Sequence, residues 1–171
     1  MRRDARRLAV RLAIISDTHL PRGNRRLPDA CFTLLRGADA VLHAGDFVAL
    51  EVLRELERLG PPVLGVHGNV DHADVRAALP ETREDAFGGV RIAMVHDAGP
   101  SRGRLERLRR RFPDADAVVF GHSHIPLYEE QDGFRIFNPG SPTDRRRQPR
   151  HTMGIATVDG PTVAFSHVVL D

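Results

Sequence analysis

The chain has 171 residues, 41% of them hydrophobic and 28% charged, a balance that suits one globular domain and excludes a disordered polar chain. All 25 cationic residues are arginine, yet 23 Asp and Glu bring the net charge to only +2, and aromatic residues are 5%. Neither the basic footprint nor the base-stacking surface of a nucleic-acid protein is present, so no specific nucleic-acid binding is expected.

The first seven residues, "MRRDARR", read as a flexible basic extension, and residues 8–171 as a single domain. A cleaved leader is not expected: Arg11 interrupts the apolar run, which leads straight into "SDTH" with no small-residue cleavage site. No later run is long enough to cross a bilayer, so no membrane partner is expected. One cysteine, Cys31, allows no internal disulfide, which fits a reducing, cytoplasmic setting.

Short runs rich in Val, Ile, Leu and Ala predict buried strands over 8–16, 38–45, 61–68, 90–96 and 116–122. Helical spacing predicts helices over 28–37, 49–60 and 102–112, with Gly37 and Gly60 at the ends of the first two. The last third changes character. Residues 125–138 predict a hairpin turning at Asp132-Gly133, and 151–171 a second turning at Asp159-Gly160. Two packed mixed sheets with helices outside, an α/β sandwich, follow from this order.

Each predicted strand is followed by residues able to bind metal. Asp17 and His19 follow the first, Asp46 the second, Asn69 and Asp71 the third, His96 the fourth, and His122 and His124 the fifth. Ligand sites in α/β sheets form beyond the carboxyl ends of the strands, so these side chains gather at one edge. Imidazole, carboxylate and amide oxygen together suit Mn, Fe, Co, Ni or Zn, and they are too many for one closed tetrahedral site. A carboxylate such as Asp46 can bridge two cations, and a pair about 3.5–4 Å apart can clamp a phosphoryl group. If the backbone is extended at "DTH" and "HSH", the paired side chains point the same way, and each pair serves one centre, or His122 and His124 divide between two. Each fragment alone is weak; all of them in order, each behind a buried strand, are specific.

The set Asp17-x-His19, Gly45-Asp46, Gly68-Asn69-x-Asp71, His96 and Gly121-His122-x-His124 resembles the calcineurin-like metallophosphoesterase superfamily. With "NPGS" at 138–141 the chain is similar to its small YfcE-like phosphodiesterase group. The resemblance covers the chain from about Ala9 onward. It implies a four-layer αββα sandwich and a dinuclear centre of two divalent ions, manganese by preference, with Ni, Fe, Co or Zn also compatible. Asp17, His19 and His124 would hold the first ion, Asn69, His96 and His122 the second, and Asp46 would bridge them. A metal-bridging hydroxide would attack phosphorus, with Asp46, Asn69 and His96 taking part in catalysis and Asn69 also contacting the substrate phosphate. The implied function is a phosphodiesterase acting on a small phosphodiester; homodimers or higher homo-oligomers occur in the group. The alternative is a weakly active or non-catalytic scaffold for protein binding, like the retromer small subunit, which has lost the equivalent of Asp46.

Two positions depart from the family pattern. Val70 stands where many members have a histidine that protonates the leaving group, which predicts a preference for diesters over monoesters. His72 is the nearest possible substitute, although an exposed loop or helix-start position is the simpler reading. Asp97 replaces the usual glycine after His96. Arg145, Arg146 and Arg147 form either an anion-binding cluster for substrate or a solvated basic loop. His43 and His67, just ahead of the motifs, either support the ligands from behind or are structural or variable residues, the latter being the simpler reading, and His151 and His167 are read as unrelated to the site.

Overall fold

The computed structural model describes residues 8–171, so the basic extension expected over 1–7 lies outside the described residues. Ten strands and four helices follow in chain order. They are β1 (Val10–Ile15), α1 (Asp29–Arg36), β2 (Ala40–His43), α2 (Leu50–Glu57), β3 (Val63–Gly65), α3 (Ala73–Ala78) and β4 (Thr82–Phe87). Then come β5 (Val90–Val95), α4 (Arg104–Arg111), β6 (Ala117–Val119), β7 (Leu127–Gln131), β8 (Phe134–Asn138), β9 (Thr152–Asp159) and β10 (Thr162–Val169).

The strands form two five-stranded mixed sheets, ordered β10-β9-β1-β2-β3 and β4-β5-β6-β8-β7. In the first, β1 pairs parallel with β2 and antiparallel with β9. In the second, β6 pairs parallel with both β5 and β8, and β7 folds back on β8. Asp132 and Gly133 both take positive φ, 50° and 79°, as a two-residue hairpin turn requires.

Strand alternation builds the layers. On β1, Leu12 and Ile14 face the other sheet and pack with Ile92, Met94, Val119 and Phe137. Ala13 and Ile15 face the opposite way, onto Cys31 and Leu35 of α1 and Leu53 and Leu56 of α2. Across the molecule, Ala93 and Val118 pack on Leu105 and Leu108 of α4. Each large apolar side chain so buried contributes about 1.5–3 kcal/mol. The result is the αββα sandwich, with Cys31 free and buried on α1.

Two elements were not expected. β4 is an edge strand with half-exposed residues, so "TREDAF" lacks the apolar run of a buried strand. α3 has only six residues and buries Val75 alone, too short for helical periodicity.

Candidate metal centre

The carboxyl ends of β1, β2 and β3 in one sheet and of β5 and β6 in the other meet at one edge of the sandwich. The loops leaving them carry every candidate ligand, and six of these fall into two groups. Asp17, His19 and His124 each offer one ligand atom, all within 4.8 Å of one another, as do Asp46, His96 and His122.

In the first group, Asp17 Oδ1 lies 3.4 Å from His124 Nε2 and 3.8 Å from His19 Nε2. Among the described residues, these three atoms are the buried side-chain polar atoms without a hydrogen-bond partner. The opposite ends of Asp17 and His124 are held. Asp17 Oδ2 accepts from the Ser16 hydroxyl at 2.7 Å and the His122 N–H at 3.0 Å, and His124 Nδ1 donates to the Asp144 carbonyl. Orphaned acceptors converging in a buried space are costly unless a cation satisfies them, so the donor set fits a divalent metal.

In the second group, Asp46 Oδ2 lies 3.2 Å from His96 Nε2. His96 Nδ1 donates to the Ala44 carbonyl at 2.7 Å, which leaves Nε2 as a lone-pair donor. Asn69 Oδ1 lies 3.0 Å from both His96 Nε2 and His122 Nδ1. Asp46 Oδ2 also reaches His19 Nε2 at 3.5 Å, so this one oxygen touches both groups, while Asp46 Oδ1 accepts the Val70 N–H at 3.0 Å.

Asp17, His19, Asp46, His122 and His124 all have left-handed backbone, with φ between 45° and 71°. Extended backbone at the two H-x-H-type pairs, the expectation above, is therefore corrected. Asp17 and His19 still join one group, but His122 and His124 separate into different groups. Such residues cost about 1–3 kcal/mol each and persist where surrounding contacts over-determine them. Two glycines allow the crowding: a Cβ on Gly68 would overlap Asp46 Oδ1, and one on Gly121 would overlap Ser16 Oγ.

Asp71 is absent from both groups. It is buried, and its carboxylate accepts N–H groups of Asp46 at 3.0 Å, Val48 at 2.7 Å and Gly68 at 2.6 Å, joining two ligand loops. The sequence offered the residue but not this role. It also missed Ser141 and Thr143 of the "NPGSPT" segment, whose hydroxyls donate to the Asp17 and Thr18 carbonyls.

The remaining candidates lie outside the two groups. Val70 is exposed. His72 sits at the N-cap of α3 and is exposed. Asp97 is exposed and accepts the Gly99 N–H at 2.8 Å. Arg145, Arg146 and Arg147 are exposed in one loop, with Arg145 donating to the Gln148 carbonyl at 2.6 Å. His151 pairs with Asp171, and His167 bonds the Asn138 carbonyl. A cavity of about 340 Å³ opens beside the second group, walled by Asn69 and His96 together with His67, Arg76, Glu81 and Asp97.

The electrostatics favour charge separation. Burial alone would lower the pKa of His19, but the nearby carboxylates of Asp17 and Asp46 outweigh this and lift it to about 9. His96 is raised in the same way by Asp46 and Asp17 against its own burial. Asp46 is held well below the usual carboxylate range: burial opposes this, but His19 and His96 prevail. A cation must therefore displace the His19 proton, which is bound below about pH 9. Apparent Mn²⁺ affinity of stripped protein should rise at least about tenfold per pH unit between about pH 7 and 9. Calorimetric titration across that range checks this; a flat profile would contradict the ion pairing at His19.

Residues 10–160 match the calcineurin-like phosphoesterase superfamily domain. The chain is 34% identical over 152 residues to a probable metallophosphoesterase of Methanothermobacter thermautotrophicus, covering 87% of this chain and 86% of that one. It is 30% identical over 142 residues to a phosphodiesterase of Methanocaldococcus jannaschii, covering 77% and 83%. Its fold matches vacuolar protein sorting 29 of Cryptosporidium parvum with a TM-score of 0.79, at 23% identity over 95% of this chain and 99% of that one.

Proposed function

We infer, because the chain belongs to the calcineurin-like phosphoesterase superfamily, that it is a metal-dependent phosphodiesterase with two divalent ions, manganese by preference. The observation that carries this reading is the pair of abutting ligand groups joined by Asp46 Oδ2, one of them centred on three unpartnered buried atoms. Asp17, His19 and His124 would hold one ion and Asn69, His96 and His122 the other, with Asp46 between them. Bound there, the ions supply Lewis-acid neutralisation of phosphoryl charge and an acidified water.

The chain's own residues orient the reactants. His122 is exposed at the mouth of the site, so a phosphoryl group enters on that side. The Asn69 amide is exposed beside it, where its Nδ2 can donate to a phosphate oxygen. One ester arm occupies the cavity next to Asn69 and His96, and the exposed Arg146 loop bounds the first group through Asp144. Val70 has no proton to give, and its N–H is committed to Asp46. A poor leaving group therefore departs without a general acid from this position, a loss of about 10²–10⁴-fold. Diesters and activated esters suffer least.

The test is bis-p-nitrophenyl phosphate against p-nitrophenyl phosphate, with Mn²⁺ added to stripped protein. Diester cleavage well above monoester cleavage is expected. Comparable rates would mean that another group, His72 the nearest in sequence, supplies a proton. A non-catalytic scaffold is the second reading, on the fold likeness above. The retention of all seven ligand residues favours the enzyme, and stable co-purification with one protein partner without turnover would favour the scaffold.

A further inference from the structure

His43 belongs to neither ligand group, yet it is fully buried directly beneath both loops that carry Asp17, His19 and Asp46. Its ring stacks on Phe47 with centroids 3.5 Å apart and planes 14° from parallel, which fixes its orientation. The Gly45 N–H points at His43 Nδ1 at 3.2 Å. An amide N–H can only donate, so Nδ1 is the lone-pair nitrogen and Nε2 carries the hydrogen. Nε2 therefore donates to Thr18 Oγ1, 3.1 Å away. Burial pushes the His43 pKa down to about 3, which keeps this neutral tautomer throughout the ordinary pH range.

Thr18 sits between the ligands Asp17 and His19 and is itself fully buried. Its carbonyl accepts from the Thr143 hydroxyl at 2.6 Å, and the neighbouring Asp17 carbonyl accepts from Ser141 at 2.8 Å. The main chains of the two ligand loops are also joined, by Asp17 N–H to Gly45 O at 2.9 Å and His19 N–H to Asp46 O at 3.0 Å. Those bonds align the loops lengthwise. Ser141 and Thr143 hold the carbonyls of this segment from one side, and the Thr18 hydroxyl adds a side-chain tie from it to the strand end at His43.

We propose that His43 and Thr18 are positioning residues whose hydrogen bond presets the spacing between the Asp46 carboxylate and the Asp17–His19 pair, and so sets affinity for the cation of the first group. This rests on the reading of the two groups as a metal centre. Neither residue touches the reacting atoms. His43 links the strand end that leads into Gly45-Asp46 to the loop of the first group. Without that link, the 3.5 Å approach of Asp46 Oδ2 to His19 Nε2 loses its support from below. Residues that orient metal ligands in this way typically change affinity by about 10–100-fold when removed.

The test is calorimetric Mn²⁺ titration of stripped wild type, Thr18→Val, Thr18→Ser and His43→Gln, with circular dichroism at the same temperature to establish folding. Thr18→Val keeps shape but removes the acceptor, and should weaken first-group binding by about 10–100-fold. Thr18→Ser keeps the hydroxyl and should bind like wild type. His43→Gln can still place an N–H near Thr18 but loses the Gly45 contact, and should fall between. Should His43→Gln fail to fold, the near-isosteric Thr18 pair decides alone. Wild-type affinity in folded Thr18→Val would overturn the proposal, and equal weakening in Thr18→Ser would reduce the site to packing. Failure of wild type itself to bind Mn²⁺ would instead overturn the metal-centre reading.

Discussion

Replacing Asp46 by asparagine should lower kcat for bis-p-nitrophenyl phosphate at saturating Mn²⁺ by about 10³-fold or more. The reason is the position of one oxygen. Asp46 Oδ2 lies 3.2 Å from His96 Nε2 and 3.5 Å from His19 Nε2, and so reaches both ligand groups. Asparagine has the same shape, and its Oδ1 can still accept the Val70 N–H, so the loop keeps its conformation. What it would lose is the negative charge that Asp46, on the proposed reading, would share between two cations. Charge stabilisation of this kind is worth several kcal/mol, and about 1.4 kcal/mol corresponds to each tenfold in rate. Steady-state kinetics on folded Asp46→Asn check this. A rate within about tenfold of wild type would mean that the two groups act separately.

Removing the metal should also be visible in stability. A ligand at about a hundred times its Kd stabilises the folded chain by about 2.7 kcal/mol. For a chain of this size that corresponds to a Tm lower by roughly 5–10 °C on chelation. Two features bound the effect. The three apolar clusters that hold the sandwich together are built mainly from strand and helix side chains and contain none of the ligands, so the stripped chain remains folded. In that state His19 and His96 gain protons and pair with Asp46, which offsets part of the loss. Thermal melts with chelator, and then with Mn²⁺ restored, test this; identical Tm values would be inconsistent with tight binding.

The legibility of this chain follows from which interactions are local. β1, β2, β5 and β6 are buried on both faces over most of their length and so appear as apolar runs, interrupted by Arg11 in β1 and Arg91 in β5, and α1, α2 and α4 carry a clear helical stripe. The ligand loops follow directly, since each begins where an apolar run stops. Edge strand β4 and short α3 do not show because neither buries a continuous face. The backbone of Asp17, His19, Asp46, His122 and His124 was not legible either. Left-handed φ at non-glycine residues is imposed by contacts from distant segments, as when Asp71 takes the N–H groups of Asp46 and Val48 across 25 and 23 residues of sequence. The division of His122 from His124 depends on that backbone. Arg145, Arg146 and Arg147 show the opposite case: a conspicuous basic cluster in sequence lies in one exposed loop, outside both ligand groups.

The central claim is that the two ligand groups form one metal-dependent diester-cleaving centre. Its most direct test is the rate of bis-p-nitrophenyl phosphate hydrolysis by stripped protein as Mn²⁺ is added equivalent by equivalent. The prediction is no turnover in chelator and a rate that saturates when two equivalents are bound. Equal turnover with and without chelator, or no diester cleavage with any divalent metal, would contradict it.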